Sequence, residues 1–88
     1  MIRRRLVVSG EVQGVFYRDT CRSIAESAGV AGSASNLPDG HVEVVLEGPE
    51  DAVEKVVAWC RRGTPQSTVQ GVDIEEEEPL GDTSFRVL

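Results

Sequence analysis

From Ser9 to Arg18 the chain reads Ser9-Gly10-Glu11-Val12-Gln13-Gly14-Val15-Phe16-Tyr17-Arg18, and these residue types suit the capture of an anion. The stretch joins an apolar, β-branched run to a segment of helical period. Such a strand-to-helix junction aims main-chain N–H groups and the positive end of a helix at one point. Gly10 and Gly14 allow the backbone angles of a tight nest, and the planar fork of Arg18 matches two phosphate oxygens. By spacing alone the anion signal is weak, because glycine turns before helices are common and a solvated arginine fits the same residues.

Other routes to phosphate chemistry lack their parts. Six positions after Cys21 and Cys60 stand Ser27 and Gln66 rather than Arg, so the nucleophilic cysteine loop of Cys-dependent phosphatases is absent. Nothing in Gly10 to Arg18 ends in Gly-Lys-Ser/Thr, which excludes a nucleotide-binding P-loop. The two cysteines form no Cys-x-x-Cys or Cys/His pattern of the kind zinc requires and are read as reduced core thiols. His41, the only histidine, falls on the polar side of a strand and reads as a solvated surface residue. Consecutive acids on a strand point to opposite faces, so Glu75 to Glu78 reads as a solvated edge and not a Ca²⁺ or Mg²⁺ site.

The elements that must position Arg18 are legible from period. Residues 2 to 9 end in Leu6-Val7-Val8 and stop at glycine, a buried strand. Tyr17, Cys21, Ile24, Ala25 and Ala28 then share one helical face, and Gly29 supplies the stop. Residues 30 to 36 and 41 to 48 are extended about Leu37-Pro38-Asp39-Gly40, a hairpin turn. Asn36, just before it, reads on its own as a residue capping the turn. Val42, Val44 and Leu46 face the core, with His41, Glu43 and Glu47 on the opposite side. A second helix follows Gly48-Pro49-Glu50-Asp51, its apolar face made by Ala52, Val53, Val56, Trp59 and Cys60, and Gly63-Thr64-Pro65 ends it. Residues 69 to 77 are extended, with Val72 and Ile74 inward, and Phe85 and Val87 mark a last short strand. The order β-α-β-β-α-β plus a terminal strand specifies an α+β, ferredoxin-like split β-α-β sandwich, with two helices on one face of a largely antiparallel four- to five-stranded sheet.

At 88 residues, 40% apolar and 27% charged, the chain suits one domain spanning residues 1–88. The net charge of −6 argues against nucleic acid as a partner. No stretch approaches a transmembrane length, and the apolar part of the N-terminus is too short for a signal sequence, so a cytoplasmic protein is expected. No exposed apolar seam is evident, and a monomer is expected. Charge is unevenly placed: residues 1 to 22 hold five Arg against two acids, hence +3, and the remainder holds four basic and thirteen acidic residues, hence −9. Arg3, Arg4 and Arg5 are read as solvated residues flanking a strand.

Gly10 to Arg18 resembles the first signature of the acylphosphatase family, approximately Gly-x-Val-Gln-Gly-Val-x-(Phe/Tyr)-Arg. Asn36-Leu37-Pro38-Asp39-Gly40-His41-Val42-Glu43 resembles its second, Asn-x-x-Asp-Gly-x-Val-Glu. The likeness extends to the second helix, the Thr64-Pro65 segment and Phe85-Arg86-Val87. It implies hydrolysis of the carboxyl–phosphate bond of a small acyl phosphate, without metal or cofactor, with inorganic phosphate as product and inhibitor. By the same resemblance Arg18 would bind the phosphate, Asn36 would position the attacking water, and Gln13, Gly14, Val15, Phe16, Tyr17 and Arg18 would form the phosphate-binding loop. The chain departs from the family at Glu11, where a basic residue is usual, and at Ser33-Ala34-Ser35, where a large apolar and a basic residue are common. Affinity below the family norm is therefore expected. The alternative is a non-catalytic ferredoxin-like module that binds a small ligand or regulates. RNA binding would want aromatic pairs and a basic sheet face, which the strands lack.

Overall fold

In the computed structural model, which describes residues 1–88, the alternation of the first strand sorts its side chains between two environments. Along β1 (Ile2–Glu11), Leu6 and Val8 are wholly buried on one face, while Arg3 and Arg5 lie on the other. The chain then enters α1 (Tyr17–Ala28), which buries Tyr17, Cys21 and Ala25 and ends at Gly29 in the left-handed region, φ 73°. Next come β2 (Ala31–Asn36), β3 (Val42–Gly48), α2 (Glu50–Arg62), β4 (Thr68–Glu77) and β5 (Phe85–Val87). The five strands lie in the order β4-β1-β3-β2-β5, antiparallel except for the parallel pair β2–β5. This is the ferredoxin-like α+β arrangement that the element order specifies, with strand limits within one or two residues of those read from period.

The core lies between the helices and the sheet face bearing Leu6, Val8, Val42, Val44 and Leu46, each fully buried. Burying such a side chain stabilises by roughly 1.5–3 kcal/mol. Tyr17 and Trp59 pack with ring centroids 4.9 Å apart and join the two helices. The Tyr17 hydroxyl donates to the Cys60 carbonyl at 2.7 Å, satisfying an acceptor in the last turn of α2. Cys21 and Cys60 are buried free thiols, and the hydrogen bond between them, with burial, pushes the Cys21 thiol up.

Three expectations are corrected by the register. Arg3, Arg4 and Arg5 are not solvated. Arg3 is 7% exposed and meets Glu47 at 3.1 Å, Glu77 at 3.2 Å and Asp82 at 2.7 Å. Arg4 pairs with Glu76 and Glu54, and Arg5 with Glu43 and Glu77. Antiparallel pairing sets the arginines of β1 beside the acids of β4, so two runs that each look solvated in isolation neutralise one another. Glu47, read as lying on the open face, is 2% exposed because the 80–82 segment folds over it. Its oxygens accept N–H bonds from Leu80, Gly81 and Asp82 at 2.8, 2.8 and 2.9 Å. Those bonds, the Leu80 N–H first, and the Arg3 guanidinium hold the Glu47 carboxyl below the usual carboxylate range against the opposing effect of burial. Gly10, read as part of a nest, instead serves a bulge in the β1–β4 ladder. Its φ is 118°, the register shifts between Ser9 and Gly10, and a Cβ there would collide with the Thr68 carbonyl.

Candidate active site

The ends of three strands meet where β1 gives way to α1. Glu11 pairs with Thr68 at the start of β4, and Val8 pairs with Val42, which in turn pairs with Asn36 at the end of β2. Residues directly opposite in a ladder share a face, so Asn36 lies on the face that carries the helices. Ser33 and Ser35 alternate to the far side, away from α1.

Between these strand ends the chain from Val12 to Phe16 bends without regular structure. Gly14 has φ 73°, with open space where a Cβ would stand. Phe16 also adopts the left-handed region, φ 62° and ψ 20°, the one residue other than glycine with positive φ. A large aromatic in that conformation is costly, about 1–2 kcal/mol, and persists only where its surroundings over-determine it. Here they do. The Phe16 carbonyl accepts from the Thr20 N–H at 3.1 Å and opens α1, while the buried Thr64 hydroxyl donates to the Val15 carbonyl at 3.0 Å. From the other side the Gln13 amide donates to the carbonyls of Leu37 and His41 at 2.8 and 2.9 Å. The bend is thus tied to the β2–β3 hairpin through Gln13 and to the α2–β4 connection through Thr64.

The result is a row of free donors. None of the main-chain N–H groups from Gln13 to Asp19 donates a hydrogen bond within the protein. The stretch borders a cavity of about 180 Å³ lined by Val12, Gly14, Phe16, Tyr17, Arg18 and Asp19. The Arg18 guanidinium, half-buried, is held at this cavity by donating Nη1 to the Leu88 carbonyl at 2.6 Å. That carbonyl is placed by the chain beyond β5, where the Leu88 N–H donates to Ala34 at 2.9 Å. Unpaired N–H groups, a helix N-terminus and a guanidinium together favour an anion with several acceptor oxygens.

Of the residues singled out from sequence, Gly14, Phe16, Tyr17 and Arg18 line the cavity, whereas Val15 and Gln13 hold the loop from behind. Asn36 lies outside the lining, exposed at the last position of β2, next to Leu37, whose carbonyl Gln13 grips. His41 Nδ1 sits 3.1 Å from Asp39 Oδ2 in the turn. Thr64 and the Leu88 carbonyl were not singled out. Each acts through a pairing across more than forty positions of sequence, and only Thr64-Pro65 left a local trace.

The acylphosphatase family model matches residues 4–87. An acylphosphatase of Rubrobacter xylanophilus is 53% identical over 90% of this chain and 72% of its own, and one of Gloeobacter violaceus is 46% identical over 99% and 94%. The crystal structure of acylphosphatase from Bacillus subtilis superposes with a TM-score of 0.97 at 34% identity, covering 100% of this chain and 99% of its own. No observation favours the non-catalytic module. The chain belongs to the acylphosphatase family, enzymes that hydrolyse the carboxyl–phosphate bond of acyl phosphates.

Proposed function

We propose that the phosphoryl group of the acyl phosphate is held by the N–H groups of residues 13 to 18 together with the Arg18 guanidinium, and that Asn36 positions the attacking water. An acyl phosphate is a mixed anhydride with a good leaving group, so positioning and charge stabilisation suffice without a strong nucleophile. The water oxygen bonds to phosphorus in line with the scissile P–O bond, that bond breaks, and the carboxylate departs with its electron pair. The water's proton passes to a phosphoryl oxygen of the substrate, leaving carboxylate and inorganic phosphate. No metal or other cofactor takes part. The observation that carries this reading is the unbroken run of unpaired N–H donors from Gln13 to Asp19 bordering the cavity at which Arg18 is held. Support for Asn36 comes from register, which puts it on the helix face at the same end of the sheet, and from the Gln13 tie to its neighbour Leu37.

The test is release of phosphate from benzoyl phosphate, with and without chelator, by the native chain and by Asn36→Ala. Chelator-resistant turnover by the native chain is expected. For Asn36→Ala, kcat should fall by at least tenfold while inorganic phosphate still inhibits, because the water and not the phosphate loses its partner. Full turnover in that variant would make Asn36 structural, and loss of native activity on chelation would overturn the metal-free scheme.

The buried free thiols Cys21 and Cys60 support a reducing, cytoplasmic setting. No helix is long and apolar enough to cross a membrane. The monomer expected from the sequence is to be checked by light scattering.

A further inference from the structure

A second, larger groove of about 440 Å³ adjoins the anion cavity, and Phe16 lines both. Its other walls include Thr20 of α1, Trp59 and Arg62 of α2, and Thr64 and Pro65 of the α2–β4 connection. Two observations suggest what it holds. The first is its side of the bend. In the sheet order β4 and β2 lie on opposite sides of β1, so the α2–β4 connection that Thr64 ties to Val15 flanks the bend opposite the hairpin carrying Asn36. With water entering from the Asn36 flank, in-line displacement sends the leaving group toward this groove. The second observation is charge. The chain carries −6, yet no carboxylate lines the groove, and Arg62 makes no ion pair or side-chain hydrogen bond, whereas Arg3, Arg4 and Arg5 each engage two or more acids.

We propose that this groove is the acyl subsite. The exposed ring of Phe16, with Trp59 and Pro65, takes the planar apolar part of the acyl group, and Arg62 pairs with a second anionic group carried at its far end. The substrate class is then an acyl phosphate with an aromatic or similarly flat acyl part bearing a further carboxylate or phosphate. The inference rests on the roles given above to Arg18 and Asn36, which set the direction of departure.

The experiment measures kcat/KM for acetyl, benzoyl and 4-carboxybenzoyl phosphate at low ionic strength in the native chain, Arg62→Gln, Arg62→Lys and Thr20→Trp. Acetyl phosphate, which carries neither a ring nor a second anionic group, reports folding and chemistry in each variant, so a failure there speaks against the phosphate site and not against the groove. The 4-carboxybenzoyl to benzoyl ratio should fall about threefold to fivefold in Arg62→Gln, as expected for a partly exposed pair, and be restored by Arg62→Lys. Filling the groove in Thr20→Trp should lower the benzoyl to acetyl ratio by about tenfold. Ratios that stay at native values in Arg62→Gln or in Thr20→Trp, with acetyl phosphate still turned over, would overturn the assignment.

Discussion

Arg18 has an unusual partner for a residue proposed to meet a dianion. Its Nη1 donates to a main-chain oxygen of Leu88, which orients the fork. Arg18→Lys keeps charge but loses the planar fork, so phosphate inhibition should weaken by about tenfold without disappearing. Glu11 acts in the opposite sense. Exposed at the end of β1, it places negative charge beside the bend. Glu11→Lys should lower the inhibition constant of phosphate about twofold to fivefold at low salt, and the gain should vanish near 0.5 M salt, where charges are screened beyond a few ångströms.

At the scale of elements, the bend is positioned by two side chains that reach across the fold. Gln13→Ala removes both bonds to the hairpin, each worth about 1 kcal/mol. Because the hairpin carries Asn36, kcat for benzoyl phosphate should fall by roughly tenfold with a smaller change in phosphate inhibition. Equal losses in both would mean that the tie shapes the donors themselves. Gly14, Phe16, Tyr17 and Arg18, which line the cavity, stand in one short contiguous pattern, and the helices were legible in apolar faces that repeat at helical spacing. The role of Gln13 was not, since its partners lie 24 and 28 residues away and depend on how two strand ends are brought together. Nor was the left-handed Phe16, which no local preference favours. Gly10 was misread because a bulge and a nest ask the same freedom of glycine, and only the neighbouring Thr68 carbonyl distinguishes them.

Across the whole molecule, charge is divided between two ends of the sheet. Arg3, Arg4 and Arg5 are consumed at the end away from the bend by Glu43, Glu47, Glu54, Glu76, Glu77 and Asp82. The sequence places positive charge near the site in one dimension, whereas the fold leaves Arg18 at the cavity and Arg62 in the adjoining groove. Glu47→Ala, leaving Arg3 buried with fewer partners, should cost about 3 kcal/mol in urea unfolding while KM stays near native. Because the Glu47 carboxyl is held below its ordinary range, its contribution is complete above about pH 4.3 and is lost as pH falls through its lowered folded value. Tyr17 has the opposite sign. Burial raises its phenol, so its contribution is complete below about pH 10 and is lost as pH climbs further. Urea midpoints from pH 2 to 11 should therefore trace a dome whose acid limb flattens in Glu47→Ala and whose alkaline limb flattens in Tyr17→Phe.

The most direct measurement is the inhibition constant of inorganic phosphate for Arg18→Ala beside that of the native chain. Loss of even one charge-assisted hydrogen bond, about 1.5–3 kcal/mol, should raise it by roughly 10- to 150-fold. An inhibition constant equal to the native value would contradict the grip of main-chain donors and one guanidinium on the phosphoryl group.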